Sequence, residues 1–170
     1  SNAWLTILAY HVQIVFWSRG SGVAIRKPAR ARMFLLALPT LVAGPALYYL
    51  LPFISQTDLS VWLTDHSLSR TSLLVMIPYL GLVHPCFEQV YWGPLRERTP
   101  WAHPLFAGYH VIVLFSFLTP IWLAICFAVL LAASVAWQFM ATRTGSLAVP
   151  VLSHILADLG VVVAAWARIQ

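Results

Sequence analysis

Long apolar stretches alternate with short polar ones along the whole chain, and the length of the apolar stretches decides what they predict. A helix that crosses the hydrocarbon core of a bilayer needs about 20 predominantly apolar residues. Six stretches come near that length: 4–17, 33–54, 71–92, 101–118, 121–140 and 147–169. They predict an all-α protein, a polytopic transmembrane helical bundle of about six spans, in a single domain over 4–170. The first stretch is short, which suits a truncated, tilted or interfacial helix. The second carries Pro39, Pro45 and Pro52, tolerated in membrane helices at the cost of kinks. Ser1, Asn2 and Ala3 read as the remnant of a cleaved expression tag and are set aside from the fold.

The basic residues divide the loops into two sets. Arg19, Arg26, Lys27, Arg30 and Arg32 lie between the first two stretches, Arg96 and Arg98 in the 93–100 loop, and Arg143 in the 141–146 loop. These alternate loops belong on one side of the membrane, and the tendency of Lys and Arg to collect in cytoplasmic loops names that side. The opposite side holds only Arg70, beside Asp58 and Asp65 in the 55–70 loop, the tight Thr119-Pro120 turn, and Arg168 near the C-terminus. Both termini are therefore expected outside the cytoplasm, in a multi-pass protein of the cell (inner) membrane.

Composition agrees with this placement. Hydrophobic residues make up 61% of the chain and charged ones 9%, with a mean hydropathy of +0.82, against about 25% charged residues in an average soluble domain. The net charge of +5 would suggest nucleic acid in a soluble protein. Here the basic residues sit between apolar stretches, where they set topology and meet anionic headgroups, so the expected partners are the lipid bilayer and not nucleic acid. Cys86 and Cys126 lie inside apolar stretches and match neither a disulfide framework nor a metal-binding pair.

Ionisable groups at membrane depth cost at least about 2.5 kcal/mol each on insertion scales and need a reason. Four stand out: Glu88, His110, His154 and Asp158. Counted from the cytoplasmic ends of their stretches at 1.5 Å per residue, they lie at depths of roughly 6, 13, 10 and 16 Å. They can therefore meet in the cytoplasmic half of the bilayer. His154 and Asp158 share a helix face, as do His84 and Glu88, while His103 and His110 are roughly aligned. A Glu, two His and an Asp on three helices have the ligand types of a catalytic zinc centre with a carboxylate left to deprotonate water; manganese or iron would also suit that set. The same residues can also work without metal, the glutamate taking a proton from water and the histidines stabilising the oxyanion.

Plainer roles compete. His11, His84 and His103 are expected to be interhelical hydrogen-bonding or interfacial residues. Glu88 and Asp158 would be packing or ion-paired carboxylates if a cation lay at their depth, but no Lys or Arg is expected there, which leaves protonated histidine, metal or water to compensate them.

Three short motifs carry a resemblance to a known family. Glu88-Gln89 opens the first, Phe106-Ala-Gly-Tyr-His110 is the second, and His154-Ile-Leu-Ala-Asp158, preceded by TGSLAVPVLS, is the third. The chain resembles the CAAX protease and bacteriocin-processing (CPBP, Abi) family of intramembrane proteases, whose motifs Glu-Glu-x-x-x-Arg, Phe-x-x-x-His and His-x-x-x-Asn/Asp fall on separate helices in this order. The second and third motifs match in full. In the first, Gln89 replaces the second glutamate and Gly93 stands at the arginine, with Arg96 or Arg98 as substitutes from the following loop. The resemblance covers about 71–165. It implies that Glu88 and His110 activate the hydrolytic water, that His154 and Asp158 serve as metal ligands or oxyanion partners, and that any metal is zinc first. Gln89 then positions a neighbour by hydrogen bonding. Pro85, Trp92 and Phe106 read as packing residues.

The function this implies is hydrolysis of a peptide bond in a membrane-associated, possibly lipidated, protein or peptide. Two alternatives stay open. One is a catalytically weakened relative acting as a binding or immunity module. The other is a proton-coupled transporter, since Glu, Asp and His chains at membrane depth also mark proton relays, although the related halves common in transporters are not evident here.

Overall fold

A computed structural model describes residues 2–18 and 29–169. Ser1 and the first basic group's Arg19, Arg26 and Lys27 lie outside the described residues. Within them the chain is all-α, with no strand beyond one isolated bridge between Ser55 and Leu118. All six apolar stretches fall on helices.

Helix α1 spans Ala3–Ser18. A 3-10 run, Ala31–Val42, continues directly into α2, Ala43–Ile54. The short α3, Leu59–Asp65, starts where the Asp58 carboxylate accepts hydrogen bonds from the Ser60 and Val61 amides, which have no partner inside the helix. Helix α4, Arg70–Pro78, opens on a reciprocal cap between Ser69 and Ser72. It passes through one π turn, Tyr79–Val83, into α5, His84–Arg98. Helix α6 is Ala102–Leu114, α7 is Pro120–Thr144 and α8 is Ala148–Arg168.

One boundary differs in a way that matters. Arg96 is expected in a 93–100 loop, yet α5 continues through Gly93 and Pro94 to Arg98. Proline removes one backbone hydrogen bond from a helix interior. The Arg96 side chain, 3% exposed and bonded within the bundle, holds the last turn in place.

Four helical stretches are long and apolar enough to cross a membrane: Ala31–Ile54, Arg70–Arg98, Pro120–Thr144 and Ala148–Arg168. Helices α1 and α6 are apolar but shorter. The outer surface fits a lipid solvent. Phe53, Val75, Ile112, Phe115 and Ile121 are each 66–78% exposed, and so continuous an apolar exterior is not tolerated in water.

Helix α8 is the hub. It packs against the 3-10 run, α2, the π turn, α7 and α5. Its tightest crossing is with α2, where a Cβ built on Gly44 would lie 2.8 Å from the backbone of Gly160. Lipid gives apolar side chains no reason to prefer a helix neighbour over an acyl chain, so close backbone approach at small residues must supply van der Waals attraction instead. The π turn follows Pro78, whose missing N–H disturbs the α-helical ladder, and sets Gly81 against Leu159 of α8.

Gly44→Ala should therefore lower the thermal unfolding midpoint in detergent, by overpacking worth about 1–3 kcal/mol, although alanine is the better helix former. Gly108→Ala, whose Cβ would meet nothing within 4 Å, should leave the midpoint unchanged or raise it.

Candidate intramembrane site

Helix α5 brings Glu88 and Gln89 to the centre of the bundle, both fully buried. Helical spacing sorts its polar residues: His84 and Glu88 are one turn apart, and Gln89 and Arg96 two turns. Because α5 extends to Arg98, Glu88 lies roughly 15 Å from that end and not 6 Å. His110, counted from the start of α6, and Asp158, counted from the start of α8, then sit at roughly 12 and 15 Å, so the groups match in depth better than the sequence alone suggests.

Glu88 meets side chains from four helices. The hydroxyls of Tyr10 on α1 and Tyr109 on α6 both donate to its Oε1, and Trp92 Nε1 donates to the Tyr10 oxygen at 3.2 Å. His84 Nε2 lies 3.5 Å from the same carboxylate oxygen. The second oxygen, Oε2, has no hydrogen-bond partner among the described residues; His154 Nε2 of α8 faces it at 3.6 Å. A buried carboxylate oxygen left this way costs on the order of 1–3 kcal/mol or more. It is an acceptor waiting for a donor.

On the α8 side, His154 Nε2 also faces Asp158 Oδ1 at 3.4 Å, and the imidazole stacks on Trp137 of α7 with centroids 4.2 Å apart. The Trp137 indole donates to Ser153 Oγ at 3.0 Å. On the α1 side, His11 Nδ1 lies 2.7 Å from the Ile7 carbonyl and its Nε2 lies 2.9 Å from His84 Nδ1. A carbonyl can only accept, so His11 Nδ1 carries a hydrogen. His11 also lines an open groove of about 360 Å³ with Val12, Val15, Phe16, Tyr79 and Phe87.

Arg96 brings a cation into this interior, where no Lys or Arg was expected, although it pairs with neither carboxylate and bonds their neighbours instead. Its guanidinium turns into the bundle, donating from Nη1 to Gln89 Oε1 at 2.9 Å and from Nε to Ser134 Oγ at 2.8 Å. It lies over the Phe106 and Trp137 rings, 5.1 and 5.5 Å from their centroids. Of the two proposed substitutes for an arginine at 93, Arg96 is buried and Arg98 exposed. Position 93 itself is tight, because a Cβ there would sit 3.0 Å from Leu147 Cδ2 and that side chain would have to shift. One turn further along the same face, an arginine reaches back instead.

The other predicted residues separate. His110 meets Glu88 through Tyr109, whose hydroxyl lies 3.0 Å from His110 Nε2, while His110 Nδ1 lies 2.9 Å from the Phe106 carbonyl. Gln89 Nε2 lies 3.1 Å from His154 Nδ1. Phe106 is fully buried and touches Trp92, Tyr109, His110 and Trp137 edge-on. His103 is the hydrogen-bonding residue expected, facing Ser134 Oγ at 2.9 Å and Gln138 Oε1 at 2.8 Å.

The four expected metal ligands do not gather into one set. Among the described residues no three His, Cys, Asp or Glu side chains form a group that could hold an ion. Oε1 of Glu88 is engaged by two phenols and His110 is turned onto Phe106 and Tyr109, which leaves Glu88 Oε2 and Asp158 Oδ1 as the oxygens that face His154 Nε2. The arrangement offers a carboxylate with one free oxygen opposite an imidazole in a water-poor interior.

Sequence reasoning missed Tyr10, Tyr109 and Ser134, and assigned His84 a bystander's role. Tyr109 had a signal in its place beside His110, and Arg96 in its two-turn spacing from Gln89. Tyr10 had none, since nothing local ties α1 to α5. Ser134→Ala should strand the Arg96 Nε and a His103 nitrogen and cost about 1–3 kcal/mol, read as a lower unfolding midpoint in detergent, whereas Ser116→Ala, outside this network, should not. Comparison with family models, with curated proteins and with solved structures returns no match.

Proposed function

We propose that the protein is an intramembrane endopeptidase of the CAAX protease and bacteriocin-processing type, with six spans that include the shorter α1 and α6 and an active site toward the cytoplasmic side. Its substrate is a membrane-associated protein or peptide. The observation that carries this reading is the free Oε2 of fully buried Glu88 opposite His154 Nε2 at 3.6 Å. A water there would find a base on one side, and the carbonyl it attacks an imidazole on the other.

The chemistry runs on this chain's own residues. Tyr10 and Tyr109 hold Oε1, so that Oε2 is the atom that takes a proton from water. The hydroxide adds to the scissile carbonyl, and the hydrogen that His154 Nε2 otherwise directs at Asp158 stabilises the oxyanion. Collapse of the tetrahedral intermediate breaks the C–N bond, and the proton on Glu88 passes to the leaving amine. His110, through the Tyr109 hydroxyl, adjusts how tightly Oε1 is held. No step uses a metal.

Reconstituted into liposomes with transmembrane and lipidated peptides, the protein should cleave one class, and Glu88→Gln should lower the rate per folded molecule by at least about 100-fold. Full activity in that variant would end the peptidase reading. Metal content by mass spectrometry should fall well below one ion per chain and stay unchanged in His154→Ala; a stoichiometric ion lost in the variant would restore the metalloprotease form.

One observation favours a second reading. His11, His84, Glu88, His154 and Asp158 form an unbroken series with steps of 2.9, 3.5, 3.6 and 3.4 Å, as a proton path would. Proton flux in the same liposomes, abolished by Glu88→Gln in the absence of peptide cleavage, would replace the protease with a proton-coupled transporter.

A further inference from the structure

What an imidazole can do depends on which of its nitrogens carries hydrogen, and in this site neighbouring groups with fixed roles decide that. A guanidinium only donates. The Gln89 amide must therefore turn its oxygen to Arg96 Nη1, 2.9 Å away. Its nitrogen is then the atom that faces His154 Nδ1 at 3.1 Å, and an amide nitrogen also only donates. So Nδ1 of His154 is the bare, accepting nitrogen, and the hydrogen of the neutral ring sits on Nε2. That hydrogen is directed at carboxylates, Asp158 Oδ1 at 3.4 Å and Glu88 Oε2 at 3.6 Å.

The amide cannot turn over freely. Arg96 is pinned by Ser134 and by the two rings beneath it, and reversing Gln89 would set amide hydrogens against guanidinium hydrogens in a site 3% exposed at Arg96. His110 is set the opposite way. Its Nδ1 faces a carbonyl oxygen at 2.9 Å and must donate, while the Tyr109 hydroxyl near its Nε2, at 3.0 Å, has already given its hydrogen to Glu88.

We propose that Arg96 and Gln89 are positioning residues that lock His154 as a hydrogen-bond donor through Nε2, with its Nδ1 bare where the Nδ1 of His110 carries hydrogen. The assignment deepens the peptidase reading and rests on it for its purpose: the oxyanion donor is His154 and the base is Glu88. It also accounts for the missing metal geometry, since a ligand nitrogen must present a lone pair and Nε2 does not. Glutamine at 89 is what makes this possible. A carboxylate there has no hydrogen to give, would accept from Nδ1, and would reverse the ring's roles.

Nitrogen-15 NMR of ring-labelled histidine in detergent micelles reads this directly, with the His154 signal among the six histidines identified by its loss in His154→Gln. The wild-type spectrum should show His154 with bare Nδ1 and protonated Nε2, and His110 with protonated Nδ1. Gln89→Glu should protonate His154 Nδ1, and Arg96→Met, which frees the amide, should leave Nδ1 no longer uniformly bare. The His110 pattern should persist in both variants, and that persistence separates loss of the lock from loss of the fold.

A wild-type His154 with protonated Nδ1, or a His154 signal unmoved by Gln89→Glu in a protein whose His110 signal is intact, overturns the proposal. If a variant does not fold, the wild-type spectrum decides alone. The measurement needs no substrate. A locked His154 in a protein that cleaves nothing overturns the peptidase reading only, and cleavage by a protein with protonated Nδ1 overturns the lock only.

Discussion

A carboxyl group with no exposure to solvent, inside a bundle whose outer face is hydrocarbon, has only side chains to complete its hydrogen bonds. Glu88 is in that position, and the rest of the polar interior follows from it. Its neighbours come from α1 (Tyr10), its own α5 (His84), α6 (Tyr109) and α8 (His154). Each neighbour then needs its own partner. Trp92 serves Tyr10, Gln89 serves His154, Arg96 serves Gln89 and Ser134 serves Arg96. The last link brings in α7, so one buried charge fixes the relative placement of five helices.

Apolar contacts could not do this alone, because leucine packs against leucine and against a lipid tail nearly equally well. The structure divides the work. Backbone contact at Gly44 and Gly160 sets how close α2 and α8 come, and a cluster of Leu51, Ile54, Phe117, Leu118 and Leu123 closes the end of the bundle away from Arg96. The polar chain sets the register between helices, since hydrogen bonds tolerate far less slippage than methyl groups do.

The helices were legible in the sequence because membrane thickness demands length, and all six apolar stretches lie on helix. The site was legible in part. Glu88, His154 and Asp158 announced themselves as expensive groups at depth, and their helical spacing placed His154 with Asp158. What stayed hidden were contacts across distance in sequence: Tyr10 lies 78 residues from Glu88 and Ser134 lies 38 from Arg96, and no local pattern records either. Arg96 was misplaced for a different reason. Gly93 and Pro94 are strong local breakers, and a buried guanidinium with two hydrogen bonds outweighed them. A local rule failed where tertiary bonding was strongest.

The contribution of α1 to the site bears on how such a protein is made. Chains enter the membrane from the N-terminus onward, so Glu88 arrives in the bilayer long before His154, which lies 66 residues later. In that interval the phenols of Tyr10 and then Tyr109 are the groups able to shelter the carboxylate, and both grip the oxygen that the finished site does not need free. An early helix is thus placed to shelter a charge whose final partner has not yet been synthesised.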